Sequence, residues 1–195
     1  MFTVGITGGI ATGKSLATDF FAAKDIDVID ADKISRSLQE PGEVGYEVIV
    51  KKFGTAVLSK DQTINRSELR TLAFSKKDAK KWLEDLMHPM IGQKVLEGFK
   101  QAKSKWAIYS APLWSEKNKF DRIMVIDAPR SQQIERIIKR DKSSEELAGQ
   151  IVDQQLHRHQ RVGFANDFLM NDSSTKSFES KLDFYFNLYN KLADD

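Results

Sequence analysis

Residues 8–15 constrain the fold of this chain more than any other segment, because they fit the pattern G-x-x-x-x-G-K-[S/T] of a phosphate-binding loop. Phe2, Val4 and Ile6 before the loop predict a short buried strand, and the apolar periodicity after it predicts a helix. An ordinary glycine-rich turn is the alternative interpretation, but here a strand and a helix flank the loop in the order that phosphate binding needs. The segment therefore predicts a nucleotide site.

The residue types of the loop suit that chemistry. Glycines let consecutive N–H groups turn inward towards phosphate oxygens, and the start of the next helix adds its positive dipole end. The Lys14 ammonium would reach the β- and γ-phosphates, and the Ser15 hydroxyl would ligate Mg²⁺. We expect the other nucleotide contacts of the loop to come from Gly8, Gly9, Ala11, Thr12 and Gly13.

Composition limits the class of protein. A chain of 195 residues is long enough for one α/β domain with a small insertion. The 30 basic and 28 acidic side chains nearly balance, which argues against bulk nucleic-acid binding, and the absence of cysteine excludes disulfides and thiolate metal sites. No apolar run approaches the roughly 18 residues of a membrane span, and no signal peptide precedes the first strand. We expect a cytoplasmic protein.

Two carboxylates follow a second predicted strand, which Ile26, Val28 and Ile29 indicate. Asp30 and Asp32 would lie at the carboxyl end of this strand, where ligands bind in open α/β sheets. A carboxylate there could accept a proton from an attacking hydroxyl or help to hold Mg²⁺, and either one could instead cap the next helix. With the phosphate loop present we favour function for at least one of them, and their spacing does not say which.

The stretch from residue 33 to residue 105 is predicted to be almost entirely helical. Its apolar positions predict helices over residues 33–39, 44–53 and 67–74, another around Ala79 to Met87, and a new helix beginning at Pro89. A separation of about 70 residues between two strands greatly exceeds an ordinary βαβ connection. We therefore predict an inserted helical subdomain, which is a natural place for a kinase to hold its acceptor.

Three more strands are predicted, over residues 106–109, 123–126 and 168–170. The first two would end in loops at the level of the phosphate loop, as a doubly wound sheet requires. An amphipathic run from Phe178 to Leu192 predicts a closing helix that packs on the core.

Basic residues follow the fourth predicted strand. A helix over residues 133–140 would place Arg136 and Arg140 on one face, and a second helix is predicted over residues 144–159, continuing into Arg161. Arginines here suit a mobile cover that neutralises a transferring phosphoryl group. A solvated basic face is a strong alternative for any single one of them.

The ordered set of motifs carries a resemblance that covers nearly the whole chain. The motifs are Thr7-Gly8-Gly9-Ile10, Gly13-Lys14-Ser15, Val28 to Asp32, Phe53-Gly54, Leu69 to Phe74, His88-Pro89, Pro112-Leu113 to Glu116, Gln133 to Arg136 to Arg140, Gln155 to Arg158 to Arg161, and Ala165 to Asp167 before Asn171. In this order and spacing they resemble the dephospho-coenzyme A kinase family. The resemblance implies an α/β fold, namely a P-loop kinase core with a five-stranded parallel sheet flanked by helices, plus an inserted helical acceptor domain and a helical lid.

The resemblance also implies domain boundaries and a reaction. The nucleotide-binding core would comprise residues 1–32, 105–140 and 165–195, the acceptor-binding domain residues 33–104, and the lid residues 141–164. Such an enzyme transfers the γ-phosphoryl group of ATP, with Mg²⁺, to the ribose 3′-hydroxyl of dephospho-CoA, giving CoA and ADP. We expect these two substrates as the partners, no nucleic acid, no membrane, and a monomer.

Single residues take roles from the same resemblance. Asp32 occupies the position of the general base, Thr7 lies near the reacting groups, and Arg140 would contact phosphates from the lid with Arg136 and Arg161 in support. On the acceptor side the resemblance places Asp32, His88, Pro112, Leu113 and Glu116.

Two positions of the predicted nucleotide site depart from the family pattern. Ala11 stands where the family commonly has glycine, which narrows the freedom of the backbone slightly. Leu16 stands in place of a threonine near the α-phosphate, so one hydroxyl contact is missing. Lys14, Ser15 and Asp32 are all present, and we therefore expect activity.

Two other classes of protein share part of this pattern. Another small-molecule kinase would have the loop and Asp32 but would lack the combination of His88-Pro89 with the motif from Pro112 to Glu116. A nucleotide-dependent switch would need the loop but no acceptor, and the helical insertion and the Asp32 carboxylate argue against it.

Overall fold

A computed structural model of the chain describes residues 1–75, 77–111 and 119–194. These form two compact units, Met1–Ile29 with Ala102–Asp195, and Asp30–Gln101. The strands are β1 (Phe2–Gly8), β2 (Asp27–Asp30), β3 (Trp106–Ser110), β4 (Arg122–Asp127) and β5 (Asp167–Met170). The helices are α1 (Lys14–Ala22), α2 (Ala31–Ser37), α3 (Val44–Phe53), α4 (Arg66–Ser75), α5 (Lys77–Gln101), α6 (Arg130–Asp141), α7 (Glu145–Asp153), α8 (Arg158–Gly163) and α9 (Thr175–Leu192), with a 3₁₀ helix at Gly54–Val57.

The strands form one five-stranded sheet in the order β2-β3-β1-β4-β5, which confirms the predicted α/β class with a parallel sheet. The central strand β1 pairs in parallel with β3, where Ile6 is opposite Ser110, and with β4, where Thr7 is opposite Val125. β4 pairs in parallel with β5. Parallel pairing brings the carboxyl ends of these strands to one edge of the sheet, where β1 continues into the phosphate loop.

The main core lies between the sheet and helices α1 and α9. Trp106 of β3 is fully buried, and its ring packs edge-on against Phe21 at 5.5 Å and Tyr189 at 5.2 Å between ring centroids. The indole N–H of Trp106 donates to Asn190 Oδ1 at 2.9 Å, so the polar atom of this buried ring is satisfied. This packing confirms that the closing amphipathic helix covers the core.

A second apolar cluster lies beneath the phosphate loop. Ile134 and Ile137 of α6 and Ala148 of α7 form its buried centre, and Ile10 and Ala11 of the loop pack against them. One side of the loop therefore rests on apolar side chains, which leaves its polar backbone groups to other partners.

The helical unit has a core of its own. Helices α2, α3 and α4 pack against α5. Their shared core is built around Leu38, Ile49, Val57, Leu69 and Met87. The predicted helix over residues 44–53 matches α3, and the helical character of this stretch is confirmed.

The prediction that a new helix begins at Pro89 is wrong, because α5 runs for 25 residues with Pro89 inside it. Proline has no N–H, so the Asp85 carbonyl lacks its usual partner within the helix. Met87 and Ile91, on either side of the proline, both pack into the core of the helical unit. Such packing stabilises a helix more than local propensity does. No helix in the described part of the chain, α5 included, is long and apolar enough to cross a membrane.

The prediction of one helix over residues 144–159 is also wrong, because α7 ends at Asp153 and α8 begins at Arg158. The Ser144 hydroxyl caps α7 by accepting the Leu147 N–H. The side chains of Gln155 and Arg158 then make hydrogen bonds to distant parts of the chain. These tertiary bonds fix a non-helical link that a local periodicity cannot reveal.

Candidate active site

The phosphate loop connects β1 to α1, and its glycines permit a close approach of other groups. Gly13, the residue before α1, has a φ of +102°, which is the left-handed region that favours glycine. A side chain there would overlap the carboxamide of Asn171, whose Nδ2 donates to the Thr12 carbonyl at 2.9 Å. At Gly8 a Cβ atom would lie 2.5 Å from the Ile126 carbonyl oxygen of β4. Larger residues at these two positions would push the loop away from β4 and β5.

The backbone conformation of Ala11 is slightly unfavourable for an alanine. Its φ of +57° is left-handed, where an alanine is less stable than a glycine by about 1 kcal/mol. The residue packs against the apolar cluster of α6 and α7, a contact that a glycine could not supply. The departure at Ala11 is therefore a local strain that packing partly offsets.

Lys14 is held by a buried hydroxyl. Its Nζ donates to Ser110 Oγ at 2.8 Å, and Ser110 is the fully buried last residue of β3. Because β3 pairs directly beside β1, the side chain at the end of β3 lies next to the loop. Reasoning from sequence did not identify Ser110 as a neighbour of Lys14. Its place at the end of the third strand gains meaning only because β3 lies beside β1.

Three side chains from later in the chain hold the backbone of the loop. Gln133 Nε2 of α6 donates to the Ile10 carbonyl at 2.7 Å, and the Ile10 N–H donates to Gln155 Oε1 at 2.8 Å. Arg136 Nη1 donates to the Ala11 carbonyl at 3.1 Å. The structure thus brings the predicted residue Arg136 to the loop, together with two glutamines to which the sequence analysis gave no role.

A buried acidic residue lies at the end of β4, where sequence reasoning assigned nothing. Asp127 is 1% exposed, and its carboxylate forms ion pairs with Arg158 and, at 3.5 Å, with Arg161. Arg158 also donates to the Ala128 carbonyl at 3.1 Å. Pairing is what makes such a buried carboxylate stable. The predicted site residue Arg161 is buried here, and a Cβ on Gly9 would lie 3.2 Å from its Nη2 atom.

Arg140 lies farther along α6 than Arg136 and has a different partner. Its guanidinium forms a two-pronged pair with Asp141, with both hydrogen bonds at 2.8 Å, and its side chain is 58% exposed. The bonds from Arg140 hold the pKa of the Asp141 carboxyl below its usual value. In this structure Arg136 and Arg161 contact or adjoin the loop, whereas Arg140 is turned to a neighbour on the surface.

The remaining predicted residues beside the loop differ in exposure. Thr7 is fully buried in β1, whereas Ser15 and Leu16 are exposed in the first turn of α1. The Ser15 carbonyl accepts the Thr18 hydroxyl at 2.9 Å. The exposed Ser15 follows directly after Lys14 in the chain.

In the helical unit the two candidate carboxylates have different surroundings. Asp30 is the N-cap of α2, and its Oδ1 accepts the Asp32 and Lys33 N–H groups at 2.9 and 3.0 Å. The Asp32 side chain is exposed in the first turn of the same helix. His88 is exposed on α5, the helix against which α2 packs. The other predicted acceptor residues lie outside the described residues, namely Pro112, Leu113 and Glu116.

The helical unit also contains a cavity of about 300 Å³ lined by both basic and apolar side chains. Arg66 pairs with Glu40 at 3.8 Å, and Lys80 pairs with Glu84 at 3.8 Å. Arg70 forms no ion pair with any residue that the structure describes. The lining residues are Gln39, Arg66, Leu69, Arg70, Ala73, Lys80, Leu83 and Glu84.

The glycine-rich loop between β1 and α1, at the edge of a five-stranded sheet of this order, defines a nucleotide-binding protein of the P-loop kinase class. A family model described as dephospho-CoA kinase matches residues 2–177 of the chain. The chain belongs to the dephospho-CoA kinase family.

Individual relatives agree with this assignment. The chain is 38% identical to the dephospho-CoA kinase of Coxiella burnetii over 178 residues, which is 89% of each protein. It is 39% identical to that of Pseudoalteromonas translucida over 195 residues, covering 98% of this chain and 93% of the relative. Among solved structures, the dephospho-CoA kinase from Campylobacter jejuni superimposes with a TM-score of 0.67 and 28% identity over 95% of both chains.

Proposed function

We propose that this chain transfers the γ-phosphoryl group of ATP to the ribose 3′-hydroxyl of dephospho-CoA, giving CoA and ADP, the last step of coenzyme A synthesis. The observation that carries the proposal is the ordered phosphate loop, with Lys14 held at 2.8 Å by Ser110, in a chain of the dephospho-CoA kinase family. The loop supplies the donor site, and the family supplies the identity of the acceptor.

The nucleotide phosphates would bind to N–H groups among residues 8–15, except that of Ile10, which donates to Gln155 Oε1. Lys14 would neutralise charge on the β- and γ-phosphates, with Arg136 and Arg161 adding positive charge beside the loop. Arg140 would reach the phosphates by leaving its exposed pair with Asp141. Thr7 and Leu16 would line the same site before and after the loop.

Mg²⁺, which the family implies, would be held by Ser15. Its hydroxyl is exposed in the first turn of α1 beside Lys14, and Mg²⁺ bound with a nucleotide takes most of its ligands from phosphate oxygens and water. A single protein hydroxyl therefore fits this ion. When bound, the ion would neutralise charge on the phosphate oxygens.

Asp32 is the proposed general base. The neighbouring Asp30 carboxylate already accepts two N–H groups as a helix cap, whereas the Asp32 side chain is exposed. Asp32 would take the proton of the 3′-hydroxyl while that oxygen bonds to the γ-phosphorus and the bond from this phosphorus to ADP breaks. General-base help of this kind contributes about 10²- to 10⁴-fold to a rate.

The acceptor would bind to the helical unit. His88, Pro112, Leu113 and Glu116 remain the residues that the family resemblance proposes for it. The cavity lined by Arg66, Arg70 and Lys80 adds a surface of suitable chemistry, because dephospho-CoA carries a negatively charged diphosphate that such cations attract. We assign the anionic part of the acceptor to these three cations.

The predicted division into core, acceptor domain and lid stays part of the proposal. Residues 141–164 would act as the lid, closing over the nucleotide so that water does not take the phosphoryl group. We expect the protein to work as a monomer in the cytoplasm.

The proposal is tested by measuring ADP release from Mg·ATP with and without dephospho-CoA, together with the mass of the product. Strong stimulation and a product heavier by one phosphate are the expected results, and the variant Lys14→Met should abolish both. Stimulation by a different small alcohol, and not by dephospho-CoA, would identify another small-molecule kinase. Nucleotide binding with no stimulation by any acceptor would favour a nucleotide-dependent switch.

A further inference from the structure

The peptide unit on each side of Ile10 is held by a glutamine carboxamide. Gln133 Nε2 donates to the Ile10 carbonyl at 2.7 Å, and Gln155 Oε1 accepts the Ile10 N–H at 2.8 Å. Gln133 is 4% exposed, and Gln155 is half-buried. The two side chains come from positions more than 120 residues beyond the loop, with sequence separations of 123 and 145 residues.

The approach of both carboxamides depends on the absence of a side chain at Gly9. A Cβ atom on Gly9 would lie 3.0 Å from Gln133 Nε2 and 3.0 Å from Gln155 Oε1. Contacts as short as these would force the carboxamides to shift. The loop and the two glutamines therefore fit one another closely at Gly9 and Ile10.

The phosphate loop depends on contacts with residues outside it to keep its conformation. Its Ala11 residue is left-handed, at a φ of +57°, and strained backbone persists only where surrounding contacts determine it. N–H groups that bind phosphate also act best when they are already aimed before the ligand arrives. The two glutamines supply fixed hydrogen bonds immediately before the strained residue.

We propose that Gln133 and Gln155 are positioning residues that hold the phosphate loop in its nucleotide-binding shape. Gln133 does so as a donor from helix α6, and Gln155 as an acceptor from the link between α7 and α8. The same link leads into Arg158, whose guanidinium pairs with Asp127 at the end of β4. The shape of the loop is thereby tied to the segment that carries Arg158 and Arg161. The inference rests on the proposed nucleotide site.

The first test compares Gln155→Ala with Gln154→Ala, a matched control at the exposed neighbouring position. Hydrogen exchange of the Ile10 amide, measured by NMR on the ligand-free chain, should be about tenfold faster in Gln155→Ala and unchanged in Gln154→Ala. Calorimetric titration with Mg·ATP should show about tenfold weaker binding for Gln155→Ala only. Equal behaviour of the two variants in both measurements would overturn the proposal.

The second test uses the opposite roles of the two carboxamides. Gln155→Glu keeps an acceptor for the Ile10 N–H, whereas an ionised Gln133→Glu side chain has no donor and faces the Ile10 carbonyl. Both variants place the same negative charge beside Gly9, so electrostatic repulsion of ATP is matched between them. We expect Gln133→Glu to bind Mg·ATP about tenfold more weakly than Gln155→Glu, and only Gln155→Glu to keep slow exchange at Ile10.

Equal loss of affinity in the two glutamate variants, with equal exchange rates, would mean that charge alone acts at these positions and would refute the positioning roles. Failure of the unaltered chain to bind Mg·ATP would overturn the proposed function instead. The exchange measurements need no nucleotide, so in that case they still decide whether the glutamines hold the loop.

Discussion

The substitution Ser110→Ala tests whether a buried hydroxyl prepares Lys14 for phosphate. Lys14 Nζ donates to Ser110 Oγ at 2.8 Å, and Ser110 is fully buried whereas Lys14 is partly exposed. Loss of the hydroxyl would let the ammonium move in water without leaving a buried charge unpaired. We therefore expect a modest loss of stability, about 1 kcal/mol for one hydrogen bond, and a larger effect on the nucleotide.

The magnitude follows from the freedom of the lysine side chain. Fixing a lysine in one rotamer costs up to about 2 kcal/mol, and in the unaltered chain Ser110 has already restricted Lys14 before the nucleotide arrives. In Ser110→Ala the Lys14 side chain is free before the nucleotide binds, so binding loses this side-chain entropy and becomes weaker. An added cost of about 1–2 kcal/mol corresponds to roughly 5- to 30-fold weaker binding of Mg·ATP.

The assay is calorimetric titration with Mg·ATP of the unaltered chain, Ser110→Ala, Lys14→Met and the double variant. If Ser110 acts through Lys14, the serine substitution should have almost no further effect once Lys14 is replaced. Binding by Ser110→Ala within about twofold of the unaltered chain would refute the argument, given the predicted loss of roughly 5- to 30-fold. An equal loss with and without Lys14 would show that Ser110 acts on another group. Thermal melting of each variant checks that the fold is retained.

Three further predictions concern the general base, the acceptor site and the stability of the fold. Asp32→Asn should lower kcat by about 10²- to 10⁴-fold with the Kd for Mg·ATP nearly unchanged, and near-normal turnover would contradict its role. Arg70→Ala should raise the KM for dephospho-CoA by about 3- to 10-fold but not the KM for ATP, and an unchanged acceptor KM would argue against the cavity. Asp27→Ala should destabilise the chain by about 1–2 kcal/mol at pH 7, because it removes the carboxylate that accepts the Ser104 and Lys103 N–H groups. Those hydrogen bonds, of which the one from Ser104 has the largest effect, hold the pKa of Asp27 below its usual value of 3.8. The stability that Asp27 contributes is therefore complete above that pH, and it is lost as the pH falls through the lower pKa of the folded state. Denaturant unfolding of the unaltered chain and of Asp27→Ala should show that the difference in their free energies of unfolding shrinks from pH 7 to pH 2. A difference that does not change with pH would contradict the role given to the Asp27 carboxylate.

The positions of the strands could be predicted because the signals for single strands are local. Short apolar runs such as Val4 to Ile6, next to turn residues, are typical of buried parallel strands, and the structure buries both of those residues completely. The continuation of α5 through Pro89 depends on the packing of residues before and after the proline. The break between α7 and α8 depends on partners of Gln155 and Arg158 that lie far away in sequence. Neither is encoded in a window of ten or fifteen residues.

The residues of the candidate site also differ in how far they could be predicted from local sequence. Residues 8–15 are contiguous, so their phosphate-binding role can be read from one motif. Ser110 and Asn171 reach the loop across 96 and 159 residues of sequence. Their contacts depend on the strand order, which places β3 beside β1 and β5 beside β4, and no local pattern states that order. Asn171 belongs to a family motif that suggests no contact with the loop, and Ser110 belongs to none of the motifs.

The contacts of the cations rank their expected contributions to phosphate binding. Arg158 and Arg161 both pair with the buried Asp127 carboxylate, so this group of three side chains carries a net charge of only +1. Lys14 is bonded to a neutral hydroxyl, and within the described residues no carboxylate pairs with it. A charge that is oriented but not neutralised acts at full strength on a phosphate, whereas a paired arginine must share its field with its partner. Replacement of Lys14 should therefore weaken Mg·ATP binding more than replacement of either arginine. A larger loss from Arg161→Met than from Lys14→Met would show that Asp127 does not restrain the arginine as its position implies.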